Sequence, residues 1–280
     1  MPCCFFIGFT QTFCEHRKRL KQRKMAESLC KVTVAIDMGF EHLMNQRDLG
    51  KCLKQLLHCY SINRRLQQPL QFHISSFDGE RLKQEMERHQ GYEHWDCIFH
   101  NKSYFDVFAA PVNNSNCTND LQVPIQNAIQ EQQLLPLDNK IPDQTDPKNF
   151  KDAKNIIYLT SESENVLEKF DPNCVYIIGG LVDHNNHKGI CHRLAVEKGI
   201  NHARFPIQEA GVEMKTRQVL TIDHVFRIIA SVASEGRSWK EALIETLPER
   251  KGAIEANKLD NSGSDNETTD SENNENNKYR

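Results

Sequence analysis

A chain of 280 residues, 38% of them hydrophobic, can bury a sizeable core in one domain of about 200 residues or more, or in two smaller ones. No run approaches the roughly 18 apolar residues of a membrane-spanning helix, and the first ten residues lack the features of a secretory signal. The ten cysteines are scattered without a Cys-x-x-Cys pair, which favours reduced thiols over a disulfide framework. We therefore predict a protein without a membrane span.

The net charge of −3 conceals an asymmetry along the chain. Residues 253–280 hold seven acidic residues against three basic ones, a net charge of −4, so residues 1–252 sum to about +1. This polar, acidic, low-complexity composition predicts a disordered tail over 253–280. Residues 1–30 contain six Lys and Arg residues between positions 17 and 24, which predict a flexible basic arm that could contact phosphates or direct nuclear import.

The first part of the chain alternates strand and helix patterns. Val32 to Asp37 is β-branched and predicts a strand that ends in an acid, and residues 70–76 and 97–99 predict two further strands, the last of them weak. Glu80 to His89 predicts a polar helix. A longer helix is predicted before the second strand by apolar residues at helical spacing, namely Leu49, Cys52, Leu53, Leu56, Leu57 and Tyr60.

Regular patterns stop in the middle of the chain. Residues 111–150 are rich in Asn, Gln, Asp and Pro without any sustained period, which predicts a long irregular insertion. A strand is predicted at Asn155 to Leu159. Ser161 and Glu164 then have the spacing of a capping box, which predicts a helix that ends at Asp171.

The most informative stretch follows. Val175 to Ile178 are four consecutive large apolar residues, typical of a strand buried on both faces of a parallel sheet. Gly179 and Gly180 end it in a turn where a ligand can approach the main chain, and Asp183 follows. Ligands bind beyond the carboxyl ends of strands in open α/β sheets, so Asp183 is positioned to act on a bound ligand. An aspartate that only stabilises a turn or caps a helix is an equally supported interpretation.

The remaining pattern is again strand and helix. A helix from about Asn186 to Lys198, a short strand over 203–207, a helix between Thr221 and Gly236 and a last helix capped by Ser238 and Glu241 are predicted. This alternation indicates a parallel α/β sheet.

Several kinds of site can be weighed against these elements. A zinc site is one candidate, but no second ligand pair has a recognisable spacing. Gly179-Gly180 lacks the third glycine of a dinucleotide fingerprint, and no Walker loop or Gly-x-Ser-x-Gly elbow is present in the sequence. The possible zinc ligands are His184, His187, Cys191 and His192.

Five separated segments resemble, in the same order, the tRNA position-9 guanine N1-methyltransferases of the SPOUT class. The resemblance covers about residues 31–110 and 151–252 and is greatest to the nuclear and cytosolic branch, so nucleus and cytoplasm are the expected location; a mitochondrial one is the alternative. The segments are Leu159–Leu167, Tyr176–Gly189, Gly199–Ile207, Arg217–Thr221 and Leu247–Gly252.

The resemblance implies a parallel α/β domain over 31–252, interrupted at 111–150, whose C-terminal part forms a trefoil knot. It implies a monomer that binds S-adenosyl-L-methionine without a metal, and Asp183 is at the family's proton-acceptor position. The implied cofactor-binding residues are Leu159, Thr160, Gly180, Asp183, His184, Asn185, His187, Cys191, Phe205, Pro206, Val219, Leu220 and Thr221.

The implied partner is tRNA, from which the target base must be extruded at a cost on the order of a few kcal/mol. The basic run at residues 17–24 is shorter than the basic extension usual in the family, and a non-catalytic RNA-binding protein with the same fold is the alternative function. Candidate phosphate contacts are Arg64, Arg65, Lys102, Lys188, Arg193, Lys215 and Arg217.

Overall fold

Six parallel strands form the central sheet of the structure, a computed structural model that describes residue 20 and residues 23–109, 153–184, 186–214, 219–247 and 254–255. The order across the sheet is β3-β2-β1-β5-β4-β6, which confirms the predicted parallel α/β class. The trefoil knot stays a prediction. The strands are β1 (Thr33–Asp37), β2 (Gln71–Ser75), β3 (Ile98–Phe99), β4 (Ile156–Leu159), β5 (Val175–Gly179) and β6 (Asn201–Ala203).

The two central strands are β1 and β5, which pair directly with Thr33 opposite Val175 and Asp37 opposite Gly179. All residues of β1 and the first four residues of β5 are buried, as the apolar run in the sequence predicts. Burial on both faces requires cover on both sides of the sheet. Because the two strands are parallel, their carboxyl ends meet at one edge of the sheet, at the Gly179-Gly180 turn.

Helices cover the two faces. α1 and α5 lie on one face, where Phe72 of β2 and Phe226 of α5 pack edge to face at 4.8 Å between ring centroids. On the other face Tyr104 of α3 packs against Tyr158 of β4 at 5.3 Å. The helices are α1 (Gln46–Arg65), α2 (Glu80–Glu87), α3 (Tyr104–Phe108), α4 (Ile190–Glu197), α5 (Ile222–Ile229) and α6 (Trp239–Thr246).

The predicted helix over residues 161–171 is wrong. This segment consists of turns and bends, and its backbone pairs with the chain after β6: Leu167 N–H donates to the Arg204 carbonyl and Arg204 N–H donates to the Asn165 carbonyl. The hydroxyl of Ser163 is buried among these groups and accepts from Asn165 N–H. Tertiary hydrogen bonds thus replace the capping box that the sequence pattern indicates.

Other boundaries shift by a few residues. The short strand predicted at 203–207 is Asn201–Ala203, and the helix predicted from residue 186 begins at Ile190. The helix that begins after Thr221 continues beyond Ile229 as a π-helical turn over Ala230–Ser234. The last helix has the predicted capping box, in which Ser238 and Glu241 bond each other's backbone N–H groups.

A second, two-stranded sheet joins β7 (Val212–Glu213) to β8 (Ile254–Glu255) in antiparallel pairing. β8 lies inside the predicted acidic tail, so two tail residues are in a strand. Disorder of the rest of the tail, the basic arm and the insertion at 111–150 all stay predictions, because most of these residues lie outside the described ranges. No helix in the described part of the chain is long and apolar enough to cross a bilayer.

Candidate functional site

A cleft lies at the carboxyl edge of β4, β5 and β6, where the sequence predicts the ligand-binding residues. Its empty volume, including the part open to solvent, is about 1030 Å³. Eight of the predicted cofactor-binding residues line it: Leu159, Thr160, Asp183, His187, Cys191, Phe205, Val219 and Leu220.

Four other predicted cofactor-binding residues, Gly180, His184, Pro206 and Thr221, are not among the lining residues, and Asn185 lies outside the described residues. Thr221 precedes α5, and its hydroxyl donates to Asp223 Oδ1. The side chain of His184 is directed to α1: its Nε2 lies 3.0 Å from Lys51 Nζ and 3.3 Å from Asp48 Oδ1.

Gly180 has a packing role that the sequence did not predict. Its N–H donates to the carbonyl of Asp37 at 2.7 Å, and a Cβ at this position would lie 2.6 Å from the same oxygen. The missing side chain therefore allows the end of β5 to approach the backbone of β1. The cofactor-binding role of Gly180 stays a prediction.

Residues that the sequence-based set lacks complete the lining. Most neighbour a predicted residue on the same strand end or loop, so extending each motif by one or two positions would have found them. Arg204 and Glu162 are the charged ones, and the guanidinium of Arg204 is paired to both carboxylate oxygens of Glu209. The added residues are Ser161, Glu162, Ile178, Gly179, Leu181, Gly189, Ile190, Ala203, Arg204, Ile207, Ile222 and Val225.

Asp183 lies both in a turn and at the wall of the cleft, and its chemical role stays a prediction. Its side chain is 13% exposed and lines the cleft, while Oδ2 accepts from His187 N–H at 2.7 Å and lies 3.1 Å from His187 Nδ1. The bond from His187 N–H reaches back four residues and closes a turn in which Asn186 N–H also donates to the Asp183 carbonyl. The turn thus holds a carboxylate at the wall of the cleft, next to an imidazole.

A buried hydrogen-bond network lies behind the cleft wall. Asp37, at the end of β1, accepts from Ser76 Oγ and Gly39 N–H at Oδ1 and from Tyr158 hydroxyl at Oδ2. Burial raises the pKa of Asp37 despite these bonds. The network ends at Cys191, whose thiol contacts Tyr158 and whose pKa burial raises to about 12, so the thiol is protonated at neutral pH and is not a nucleophile.

Asp37→Asn is expected to gain stability relative to the parent as the pH rises. A carboxyl with a raised folded pKa favours folding fully below its unfolded pKa, near 3.8, and loses that contribution as the pH rises through the folded value. The asparagine amide can donate to Tyr158 without this penalty. Urea unfolding of both proteins between about pH 4 and about pH 8 measures the effect. The exposed Asp78→Asn is the charge control, and a difference independent of pH would contradict the buried-carboxyl account.

The four zinc-ligand candidates do not converge. His184 contacts α1, His187 contacts Asp183, and Cys191 contacts Tyr158. The ring of His192 packs edge to face on that of His202, with 4.5 Å between centroids. Among the residues that the structure describes, a different group, Glu164, His192 and His202, brings potential metal-ligand atoms within 4.8 Å of one another.

The predicted phosphate contacts fall at opposite ends of the sheet. Lys102 follows β3 and Lys188 precedes α4, and both are exposed at the carboxyl edge that holds the cleft. Arg64 and Arg65 end α1, whose 20 residues span about 30 Å from the cleft edge. Arg193 is exposed on α4. Lys215 and Arg217 lie outside the described residues.

The basic arm joins the sheet at the distant end. Arg23 donates from its guanidinium to the carbonyls of Arg65 and Leu66, and Arg64 donates to the Arg23 carbonyl. These bonds attach the end of the basic run to the carboxyl end of α1. Arg23, Arg64 and Arg65 therefore lie together at this end of α1.

The fold and site define a class: a parallel α/β domain with a small-molecule cleft at the strand ends and a carboxylate in its wall. The model of the tRNA (guanine(9)-N(1))-methyltransferase TRM10/TRM10A family matches residues 9–252. The chain belongs to this family.

Individual relatives agree. The chain is 36% identical over 240 residues to tRNA (guanine(9)-N(1))-methyltransferase Trmt10A of Drosophila melanogaster, covering 85% of this chain and 61% of that protein. It is 34% identical over 248 residues to tRNA methyltransferase 10 homolog A of Homo sapiens, covering 89% and 59%. The chain thus spans about three fifths of the length of these relatives.

Two solved structures share the fold. The crystal structure of spTrm10(74) has a TM-score of 0.59 and 25% identity, over 81% of this chain and 98% of that one. The crystal structure of a full-length spTrm10–SAH complex has a TM-score of 0.56 and 24% identity, over 81% and 99%. These likenesses support the SPOUT-type assignment of the sheet and its helices.

Proposed function

We propose that this chain is an S-adenosylmethionine-dependent methyltransferase that methylates N1 of guanine at position 9 of tRNA. The observation that carries the proposal is Asp183 in the wall of a cleft at the carboxyl ends of the strands, in a chain of this family. Its relatives are named for this reaction. The alternative, a non-catalytic RNA-binding protein, leaves the position of this half-buried carboxylate beside His187 in the cleft wall without a use.

The lining of the cleft suits S-adenosylmethionine in its chemistry. Leu159, Phe205 and Leu220 offer apolar surface for the adenine faces, and the backbone at the strand ends offers donors and acceptors for its edge. A fold relative is described as a complex with SAH, the demethylated product. The sulfonium of the cofactor supplies an activated methyl group.

The protein has two tasks in such a transfer. The walls of the cleft must align the acceptor nitrogen with the methyl group, which requires excluding water and fixing the base. The second task is to take up the proton that N1 carries. We assign this task to Asp183, which the turn to His187 holds in one orientation. No metal is needed in this scheme.

The test is incubation of the purified protein with labelled S-adenosylmethionine and unmodified tRNA transcripts, followed by mapping of the modified nucleoside. The expected result is 1-methylguanosine at position 9 and no label in transcripts with another base there. Binding of tRNA and cofactor without label transfer would favour the non-catalytic alternative. Label at another position would refute the assigned target.

Replacing the six Lys and Arg residues between positions 17 and 24 with Gln is expected to weaken binding to all tRNAs alike. Phosphate contacts fix position without reading sequence, and each one lost lowers the salt slope by about 0.7 to 0.9. Binding titrations at several salt concentrations measure both quantities. A Gln replacement of exposed Arg88 and Lys169 is the control at other surfaces, compared per charge removed. An altered choice of tRNA at unchanged slope would contradict the prediction.

The monomeric state and the nuclear and cytoplasmic location are further parts of this proposal. Sedimentation of the purified chain tests the first. Imaging of a tagged chain tests the second, with mitochondrial signal as the contradicting result.

A further inference from the structure

We propose that Glu164, His192 and His202 form a binding site for a zinc-class divalent ion that links three walls of the cleft. The three side chains come from three different elements: the loop after β4, the first turn of α4 and the middle of β6. Their potential ligand atoms all lie within 4.8 Å of one another. Two imidazoles and a carboxylate are a donor set that zinc uses with a water as fourth ligand.

The geometry is close to that of a bound ion. Tetrahedral coordination at about 2.0–2.1 Å places neighbouring donor atoms roughly 3.3 Å apart. His192 Nε2 already lies 3.7 Å from Glu164 Oε2, and the two imidazoles cross at 72°. The Glu164 side chain is 74% exposed, so it can complete the contraction by changing rotamer without moving the core.

His192 Nε2 lacks a hydrogen bond of ordinary length. The atom is shielded from solvent, and its 3.7 Å contact with Glu164 Oε2 is longer than a hydrogen bond. A buried ring nitrogen without a partner costs free energy, and such groups in proteins are usually bonded to something. A metal ion accepts the lone pair of neutral imidazole and would supply that partner.

A second layer supports the site. Nδ1 of His202 lies 2.8 Å from the hydroxyl of buried Ser163, and that hydroxyl also lies 3.2 Å from the His202 carbonyl. When Nδ1–H donates to Ser163, the Nε2 lone pair is available for a metal. Hydrogen bonds of this kind orient most metal-binding histidines.

The consequence concerns the cleft. The loop that carries Ser163 and Glu164 also contributes Thr160, Ser161 and Glu162 to the lining, and α4 contributes Cys191. An ion held by all three elements would restrict this loop relative to the sheet. The site is separate from the methyl-transfer scheme, which involves no metal, and its test does not depend on that scheme.

The decisive experiment measures Zn²⁺ and Co²⁺ binding to the purified full chain by calorimetry and visible absorption. His192→Gln keeps the helix and the side-chain volume but removes one ligand, and exposed His94→Gln is the matched control. We expect the parent and the control each to bind one equivalent of the metal ion. The His192 variant should bind that ion at least about tenfold more weakly, because even residues that only support the metal ligands contribute about 10- to 100-fold to metal affinity. Equal stoichiometry and affinity in all three would overturn the site.

Other metal-binding groups of the chain, including its cysteines, contribute equally in the parent and both variants, so the difference in binding isolates this site.

Glu164→Gln is the second variant, because an exposed loop residue can be changed without loss of folding. It too is expected to weaken binding by at least about tenfold. Zn²⁺ at a fixed concentration should raise the melting temperature of the parent by more than that of either variant, since tighter binding to the folded site stabilises it more. Equal shifts would again overturn the proposal.

Hydrogen exchange tests the link to the cleft. With Zn²⁺ bound, the amides of residues 160–167 should exchange more slowly in the parent and unchanged in the His192 variant. Equal exchange with and without the ion in the parent would overturn the proposed restriction of the loop.

Discussion

Asp183→Asn is expected to lower the single-turnover rate of methyl transfer by about 10²-fold, the low end of what general-base catalysis contributes. The asparagine oxygen can still accept from His187 N–H, so the turn persists, but the amide cannot take a proton. We expect the low end because water at an open RNA site can accept the proton once the base is aligned. Rapid-quench measurement with saturating tRNA and cofactor gives the rate.

The same variant should bind S-adenosylhomocysteine and tRNA within a few-fold of the parent, and the pH dependence of its rate should differ. Asp78→Asn, an exposed acid in the turn after β2, removes the same charge away from the cleft and should keep the parental rate. A parental rate for Asp183→Asn from about pH 6 to about pH 9 would leave the carboxylate a purely structural role.

Gly180→Ala is expected to lower the free energy of unfolding by about 1–3 kcal/mol, the usual cost of overpacking. The new Cβ would lie 2.6 Å from the Asp37 carbonyl and 2.7 Å from Met38 Sδ, and the carbonyl is backbone that cannot rotate away. The hydrogen bond from Gly180 N–H to that carbonyl would be strained as well. Urea unfolding measures the change.

Gly50→Ala is the matched control. Gly50 is inside α1, and its nearest neighbour to a new Cβ is Glu85 Oε1 at 3.8 Å. Alanine fits there without contact strain and should raise the free energy of unfolding by about 0.5–1 kcal/mol, because glycine is a poor helix former. If the two alanine variants were equally stable, close approach of β1 and β5 could not be the reason for glycine at position 180.

The central part of the fold was predictable because its signals are local and strong. The apolar run of β5, its terminal glycines and Asp183 lie within nine residues, and burial on both faces follows from composition. The capping box of α6 was predictable for the same reason: Ser238 and Glu241 bond only to their own helix end.

The loop after β4 was not predictable in this way. Ser161 and Glu164 have the spacing of a cap, yet the partners that decide the conformation, His202 and Arg204, lie about forty positions later. The same separation along the sequence explains why the group of potential metal ligands was not predicted. His192 was a candidate ligand, but nothing near it in sequence indicates Glu164 or His202 as its partners.

Pairing of β1 with β5 has a consequence for the order of folding. Thr33 pairs with Gln71 of β2 across 38 positions and Ile156 of β4 pairs with Val175 of β5 across 19, but Thr33 pairs with Val175 across 142. Closing the longest of these loops costs about 1.2 kcal/mol more than closing the 38-residue one. We therefore expect the β1–β2 and β4–β5 halves to form before they join.

The contact between Gly180 and Asp37 lies on the line where the halves join, so it should form late, after the folding transition state. Interactions absent from the transition state affect the rate of unfolding and leave the rate of folding nearly unchanged. Gly180→Ala should thus shorten the lifetime of the native chain in stopped-flow unfolding while refolding proceeds at close to the parental rate.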